Sequence, residues 1–223
     1  MRKWGTVITL FYALIIMGLF VPAVMLLGGG YSSLSPDFYR TVRDAYGEWP
    51  SWMPIAVVIS GQAILIFLSV DTTQKRLKPR AHIAVTCAVA SMLFALLAFA
   101  AIFSLDATIK SRTFLDKIDS VTQVIGLWGI LWALWGILFY LYFRNSTEVT
   151  TRAVSWLLKG SVLELLIAVP CHIVVRRRHD CSAPIATSFG IVTGIAVMLL
   201  SFGPSVLLLY KKRLDAYSTR SST

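Results

Sequence analysis

Apolar stretches of about 20 residues or more recur six times along the 223-residue chain, with little sequence between them. A helix rises 1.5 Å per residue, so about 20 apolar residues cross the roughly 30 Å hydrocarbon core of a bilayer. The backbone inside lipid must satisfy its own hydrogen bonds, which predicts that these stretches are helices. We place the six spans at residues 5–27, 51–70, 82–104, 120–143, 153–175 and 184–210.

The composition agrees with lipid as the main solvent of the chain. Apolar residues make up 57% and charged residues 14%, and the mean hydropathy is +0.72. A soluble domain has about 45–50% apolar and about 25% charged residues. We therefore predict an all-α integral membrane protein, a bundle of six transmembrane helices with short loops. Residues 1–210 form its single membrane domain, and residues 211–223 form a basic cytoplasmic tail.

One connection carries the signals of a short helix of its own. Ser35 is a typical cap, Pro36 suits the first helical position and Gly47 suits a helix end. The apolar residues of this segment fall on one face: Phe38, Val42, Ala45 and Tyr46. This pattern predicts an amphipathic helix on the outer surface of the membrane. The connection over 106–120 is the candidate for a second one.

The distribution of Lys and Arg predicts the orientation, since loops on the cytoplasmic side carry the excess of these residues. With a cytoplasmic amino terminus, 12 of the 21 Lys and Arg residues lie inside and 8 outside, and Lys159 lies within a span. We predict that both termini are cytoplasmic and that the membrane is a bacterial cytoplasmic membrane. This topology and binding to anionic lipid account for the net charge of +10, so no nucleic-acid site is predicted.

The stretch CHIVVRRRHDC, residues 171–181, contradicts this charge rule, because it places Arg176, Arg177 and Arg178 on the outside. These arginines either anchor a helix end among lipid phosphates or form a site for an anion, whose phosphate or carboxylate suits the guanidinium fork. Successive helical residues point about 100° apart, which suits a lipid headgroup better than a small ion. Cys171 and Cys181 flank the triplet and form a disulfide if this side is oxidising.

Glu164 is the most costly residue of the spans, because it lies 11 residues from each end of 153–175. A carboxylate at this depth is protonated, paired or exposed to a wet cavity. Gln62 has a similar depth and is a candidate hydrogen-bond partner, whereas Lys159 points about 140° away from Glu164. His172 lies two turns further along the same face. We interpret these four residues as a binding site; the alternative is a structural hydrogen bond between helices.

Two spans carry faces of small residues, which let helix backbones approach closely in membranes. The face of the fourth span lies in a repeat of LWGIL at 127–131 and 134–138. The two faces consist of Gly126, Gly129, Ala133 and Gly136 in the fourth span, and Ala186, Gly190 and Gly194 in the sixth. These faces predict close packing within the chain, or contact with a membrane-protein partner or a second copy.

The motifs of common enzyme classes do not occur in this sequence. It contains no P-loop, no dinucleotide-binding glycine pattern, no H-E-x-x-H and no G-x-S-x-G. His82 starts a span on the predicted inner side, whereas His172 and His179 lie at the outer side, so the three histidines do not form a metal or haem site. We predict no cofactor, no metal and no catalytic residues.

Three functions fit these features. The leading hypothesis is a small membrane protein that binds or translocates a small solute, cation or proton at a site around Glu164. The first alternative is a non-catalytic subunit or scaffold that contacts another membrane protein through its small-residue faces. The second alternative is a protein that binds or modifies lipid headgroups with Arg176, Arg177 and Arg178; it lacks a plausible nucleophile and base beside these arginines.

Overall fold

The structure, a computed structural model, describes residues 2–29, 35–71, 79–109, 121–144, 149–178 and 183–220. These ranges contain seven helices and no strand. The helices are α1 (Arg2–Gly28), α2 (Pro36–Gly47), α3 (Trp49–Asp71), α4 (Pro79–Thr108), α5 (Val121–Phe143), α6 (Val149–Arg177) and α7 (Ala183–Arg220). All except α2 are long and apolar enough to cross a membrane, which confirms the predicted six-span bundle.

Each predicted span lies within one helix or differs from it by a single residue, and most of the helices extend beyond the predicted limits. The sixth span shows this most clearly, because its helix, α7, continues through the predicted tail as far as Arg220. At the other end of the scale, α5 begins at Val121 and ends at Phe143, within one residue of the predicted span 120–143. The apolar runs therefore locate the helices well, but polar residues prolong them past the bilayer core.

The distribution of side chains between surface and interior is that of a membrane protein. Large apolar side chains such as Leu14, Leu163 and Leu166 are exposed. Many small polar side chains are buried instead, among them Thr86, Ser91, Ser104, Ser161, Thr187, Ser188, Thr193 and Ser201. Lipid is as apolar as leucine, so the apolar side chains lose little by facing outward, whereas polar groups find partners only inside the bundle.

Helices α4 and α7 form the centre of the bundle. Helix α4 packs against α3, α5, α6 and α7, and α7 packs against α1, α3, α4 and α6. Helix α5 packs mainly against α4 and is the most exposed of the six spans. At one end of the bundle Gly28 lies against Ile185, and the Arg178 guanidinium donates to the Thr108 carbonyl. We call this end, which carries Arg176 to Arg178, the triplet end.

Helix α2 has the bounds that its sequence predicts, and Phe38 of its predicted apolar face is buried. The Ser35 hydroxyl oxygen accepts a hydrogen bond from the Phe38 backbone N–H at 3.3 Å. The Tyr46 hydroxyl donates to the Met17 carbonyl of α1, and burial raises the pKa of Tyr46, so the donor keeps its proton at neutral pH. Residues 110–120, which hold most of the second predicted surface helix, lie outside the described residues.

Candidate functional site

Glu164 lies in the middle of α6, at the junction of α4, α6 and α7. It is only 2% exposed, although it is a carboxylate within a membrane span. Within the described part of the chain, neither carboxylate oxygen has a hydrogen-bond partner. A buried polar group without a partner costs about 1–3 kcal/mol, and more when it is charged. This arrangement is therefore a costly one that packing alone does not explain.

Two glycines of α7 make room for the Glu164 carboxylate. A Cβ atom placed on Gly194 would overlap Oε2 of Glu164 and would lie 2.9 Å from Cγ of Leu165. A Cβ atom placed on Gly190 would lie 3.1 Å from Oε1 of Glu164 and 3.2 Å from Cβ of Ala168. We call this place on α7, Gly190 and Gly194, the glycine notch. The predicted small-residue face of the sixth span is thus used inside the chain, against Glu164.

Ser104 of α4 places a polar side chain at the glycine notch, next to Gly190. Its hydroxyl oxygen would be overlapped by a Cβ atom on Gly190, so it lies beside the same glycine as Oε1 of Glu164. The hydroxyl donates to the Ala100 carbonyl of its own helix at 2.9 Å. One hydrogen serves that bond, and the lone pairs of the oxygen remain available to accept another. Ser104 was not among the residues predicted from the sequence.

His172, like Glu164, faces α7. Its Nδ1 is 2.8 Å from the Thr187 hydroxyl oxygen of α7. The Thr187 hydroxyl also lies 3.1 Å from the Pro184 carbonyl; when it donates there, Nδ1 of His172 carries the hydrogen and donates to Thr187. Between His172 and Glu164, Ala168 is fully buried against Gly190. Close packing of α6 on α7 therefore separates the two ionisable groups.

The two other residues predicted for this site do not bind Glu164 directly. Gln62 of α3 is 1% exposed, but its Nε2 has no hydrogen-bond partner among the described residues, so the predicted bond to Glu164 is not made. Lys159 is exposed, and its Nζ lies 5.8 Å from the centre of the Trp156 ring. A cation over an indole face is stabilised there. No direct hydrogen bond thus joins Glu164 to any of the other three predicted residues.

The arginine triplet is divided between two environments. The bond from Arg178 to the carbonyl of Thr108 caps the end of α4, where unpaired carbonyls and the helix dipole favour a cation. Arg176 and Arg177 are exposed at the end of α6. Cys171 is buried; Cys181 lies outside the described residues, so the disulfide stays a prediction.

A second feature, away from Glu164, is an apolar groove of about 390 Å³ between α4 and α5. Two of the α5 residues that line it, Trp132 and Ala133, are exposed. The Trp132 indole N–H donates to the Ala88 carbonyl across the groove at 2.9 Å. The small residues lining it are Ala84, Cys87, Ala88, Ser91, Gly129, Ala133 and Gly136. Gly126 and Gly129 have no neighbour within 4 Å for an added Cβ atom, so this part of the predicted face is not packed within the chain.

The arrangement at Glu164 can take up a proton or a positive charge, because among the described residues the Glu164 carboxyl group is the one ionisable group found at the glycine notch. Within the described residues, no group of three His, Cys, Asp or Glu side chains is placed to hold a metal ion. Comparison with protein-family models, with curated proteins and with solved structures finds no match for this chain. The residues of the site are therefore the basis for the function proposed next.

Proposed function

We propose that this protein binds and translocates a small solute, cation or proton through an intramembrane site centred on Glu164. The observation that supports the proposal is the unpartnered, buried carboxylate in the glycine notch of α7. An ionisable side chain inside a span is costly and is typical of transport and proton-transfer sites. The glycine notch is further support for a site at Glu164, because larger residues at position 190 or 194 would exclude the carboxylate.

The function predicts that charge moves across the membrane and that this movement depends on Glu164. The purified full-length chain is reconstituted in liposomes on a solid-supported membrane, and steps of pH, Na⁺, K⁺ or solute are applied. We expect a transient current in the wild type for at least one of these steps. We expect its loss in Glu164→Gln, which keeps the shape of the side chain and removes its charge and its titration.

Glu48→Gln is the matched control, because Glu48 is exposed at the end of α2 and undergoes the same chemical change outside the spans. It should retain the wild-type current. Equal amounts of folded protein, checked by size-exclusion chromatography, make the currents comparable. A current in Glu164→Gln equal to that of the wild type would refute the proposal, as would a wild type that responds to none of the steps.

We also propose that both termini lie in the cytoplasm and that the membrane is a bacterial cytoplasmic membrane. The support is the excess of Lys and Arg in the loops assigned to the inside, 12 against 8. On this topology the triplet end faces outward. Glu164 then lies close to the middle of the bilayer, because 15 residues of α6 precede it and 13 follow.

A second candidate function, a non-catalytic subunit or scaffold, is favoured by the groove between α4 and α5. Helix α5 is the most exposed span, and Gly126 and Gly129 leave room for a second backbone to approach. Close approach of helices at small residues is a main source of association in membranes. The α7 glycines do not belong to this surface, because they contact Glu164 and Ser104 inside the chain.

Bulky substitution tests the second candidate without disturbing the fold. Gly129→Leu should dissociate a complex that is extracted in native lipid nanodiscs and sized by native mass spectrometry. Gly18→Leu is its control, since Gly18 of α1 also has no neighbour within 4 Å for an added Cβ. A chain that is monomeric in the wild type, or a complex that survives Gly129→Leu, contradicts this candidate.

A further inference from the structure

We infer that the species which Glu164 takes up is a proton, rather than a metal cation or an organic solute. This inference rests on the function proposed above and narrows it to one ligand. Three properties of the site carry it: the charge balance around the carboxyl group, the set of atoms available as ligands, and the space on the α7 side.

The charge balance favours the neutral carboxylic acid. Buried charges are usually paired in proteins, because desolvation of an unpaired charge is costly. Among the described residues no cation contacts Glu164, and Lys159 lies at an exposed position against Trp156. A protonated carboxyl group carries no charge and needs no counter-ion. The proton is the one ligand that removes the charge and occupies almost no space.

The available ligand atoms are too few for a metal ion. Ions such as Ca²⁺ take 6–8 oxygen ligands, and Mg²⁺ takes an octahedral set. Within the described residues, no group of three His, Cys, Asp or Glu side chains could hold a metal ion, and the side-chain atoms nearest the two glycines, besides the carboxyl oxygens, are carbon atoms of Leu165 and Ala168 and the Ser104 hydroxyl oxygen. One carboxylate and one hydroxyl do not replace the hydration shell of such an ion.

The space on the α7 side is too small for an organic solute. Small-molecule sites usually have a volume of about 300–1,000 Å³. Here the carboxyl oxygens lie so close to α7 that even a methyl group on Gly194 would overlap Oε2. The contact of Ala168 with Gly190 closes the side toward His172. A proton needs only one oxygen lone pair in such a site.

The ionisable groups on the helices around Glu164 leave its carboxyl group without an ionisable partner among the described residues. The described side chains of α7 over 183–202 and of α3 over 49–68 include none. Helix α4 contributes Cys87 and Asp106, and α5 touches α6 through Tyr142, at Trp156. On α6 itself, the charged or titratable residues besides Glu164 are Arg152, Lys159, Cys171, His172, Arg176 and Arg177. None of these groups forms a hydrogen bond with the Glu164 carboxyl group.

The transfer step is a simple acid–base exchange. The O–H bond of the Glu164 carboxyl group breaks, the proton passes to a water molecule, and a carboxylate remains with both electrons of that bond. The reverse reaction on the other side restores the neutral acid. On the side toward His172, water reaches the carboxyl group when α6 and α7 separate at the contact of Ala168 with Gly190, so transfer on that side is coupled to a movement of these two helices.

Infrared spectroscopy of the full-length protein in liposomes tests the inference directly. The carbonyl stretch of a protonated carboxyl group differs from the bands of a carboxylate, and subtraction of Glu164→Gln isolates the band of Glu164 from those of the other acidic residues. The sample is perfused with buffers of increasing pH at constant salt. It is then perfused at fixed acidic pH with NaCl, KCl, MgCl₂ or CaCl₂, with choline chloride as the reference.

We expect the Glu164 band to be present at acidic pH, to disappear as the pH rises, and to be unaffected by the four metal salts. Loss of the band on addition of one metal at fixed pH would overturn the proton assignment, while a cation-binding function at Glu164 would stand. A band that persists at every pH and in every salt would overturn both, because Glu164 would then be a permanently neutral structural group. Absence of the band at acidic pH would also overturn the assignment.

Discussion

The contact between the Glu164 carboxyl group and Gly194 is the tightest one at the site, so a single methyl group tests it. In Gly194→Ala the new Cβ would overlap Oε2 of Glu164, and α6 and α7 must move apart. Overpacking of this kind costs about 1–3 kcal/mol. We expect a clear drop in the thermal denaturation midpoint in detergent and loss of the current that depends on Glu164.

A control and a second-site variant make this prediction specific. Gly129→Ala adds the same methyl group in α5, where no atom lies within 4 Å, so its midpoint should match or exceed that of the wild type. Combining Gly194→Ala with Glu164→Ala removes the clashing carboxyl group and should cost less than the sum of the two single changes. Equal midpoints for Gly194→Ala and Gly129→Ala would refute the close contact.

The hydrogen bond between His172 and Thr187 is a second residue-scale feature that joins α6 to α7. Thr187→Val keeps the size of the side chain and removes the hydroxyl. Hydrogen bonds between membrane helices contribute about 0.6 kcal/mol on average, and we expect a loss of this order in the free energy of unfolding. The measurement is equilibrium unfolding in mixed micelles of detergent and SDS.

Thr193 provides the matched control for this hydrogen bond, because it lies on the same helix. Its hydroxyl is buried and has no hydrogen-bond partner among the described residues. Thr193→Val therefore removes an unpaired polar group and should be neutral or stabilising. If both substitutions change the unfolding free energy by the same amount, the bond from His172 to Thr187 contributes nothing of its own.

At the scale of elements, α2 is held to α1 at a weakened point of the α1 backbone. Pro22 lacks the N–H that would bond to the Gly18 carbonyl, and its ring disfavours regular helix there. The Tyr46 hydroxyl donates to the carbonyl of the preceding residue, Met17. We expect Tyr46→Phe to lower the free energy of local opening of α2 by about 1 kcal/mol. The measurement is hydrogen exchange, which should become faster in residues 36–47.

The pH dependence of this contact follows from the direction of the Tyr46 pKa. Burial raises it, so the phenol keeps its proton in the folded state beyond the ordinary value of 10.0. The stabilisation is therefore complete below that value and is lost only as the pH rises through the higher folded-state pKa. Between pH 6 and about pH 9, exchange of α2 corrected for intrinsic rates should stay constant. A change in this range would contradict the assignment of Tyr46 as the donor.

Local signals predicted the helices better than they predicted contacts between helices. Ser35, Pro36 and Gly47 marked the limits of α2, since capping depends on neighbours in the sequence. Depth in the membrane singled out Glu164 as the costly residue of the spans, but the hydrogen bond that depth suggested with Gln62 is not made, because depth gives the height of a residue and not the rotation of its helix. The glycine notch opposite Glu164 depends on that rotation, so it emerges only in the assembled bundle.

At the scale of the whole molecule, the triplet end gathers helix carboxyl termini. Helices α1, α4 and α6 all end there, and each end carries a partial negative charge from its unpaired carbonyl groups. Helix α4 has no basic residue in its own last turn, and Arg178 supplies one from α6. This bond offers a physical reason for arginine at an end that the charge rule assigns to the outside. At least one member of the triplet serves the bundle itself.

The proposed orientation predicts which end of the bundle reagents reach from outside the cell. Ile109 and Arg144 are exposed next to the ends of α4 and α5, on opposite sides of the membrane, and each is changed to Cys in a Cys181→Ser background. We expect a membrane-impermeant maleimide to label Ile109→Cys in intact cells and Arg144→Cys only after permeabilisation. The reverse pattern would place the triplet in the cytoplasm, and the larger group of Lys and Arg would then lie outside. In that case bonds such as the one from Arg178 to Thr108, rather than the positive-inside rule, would decide the topology.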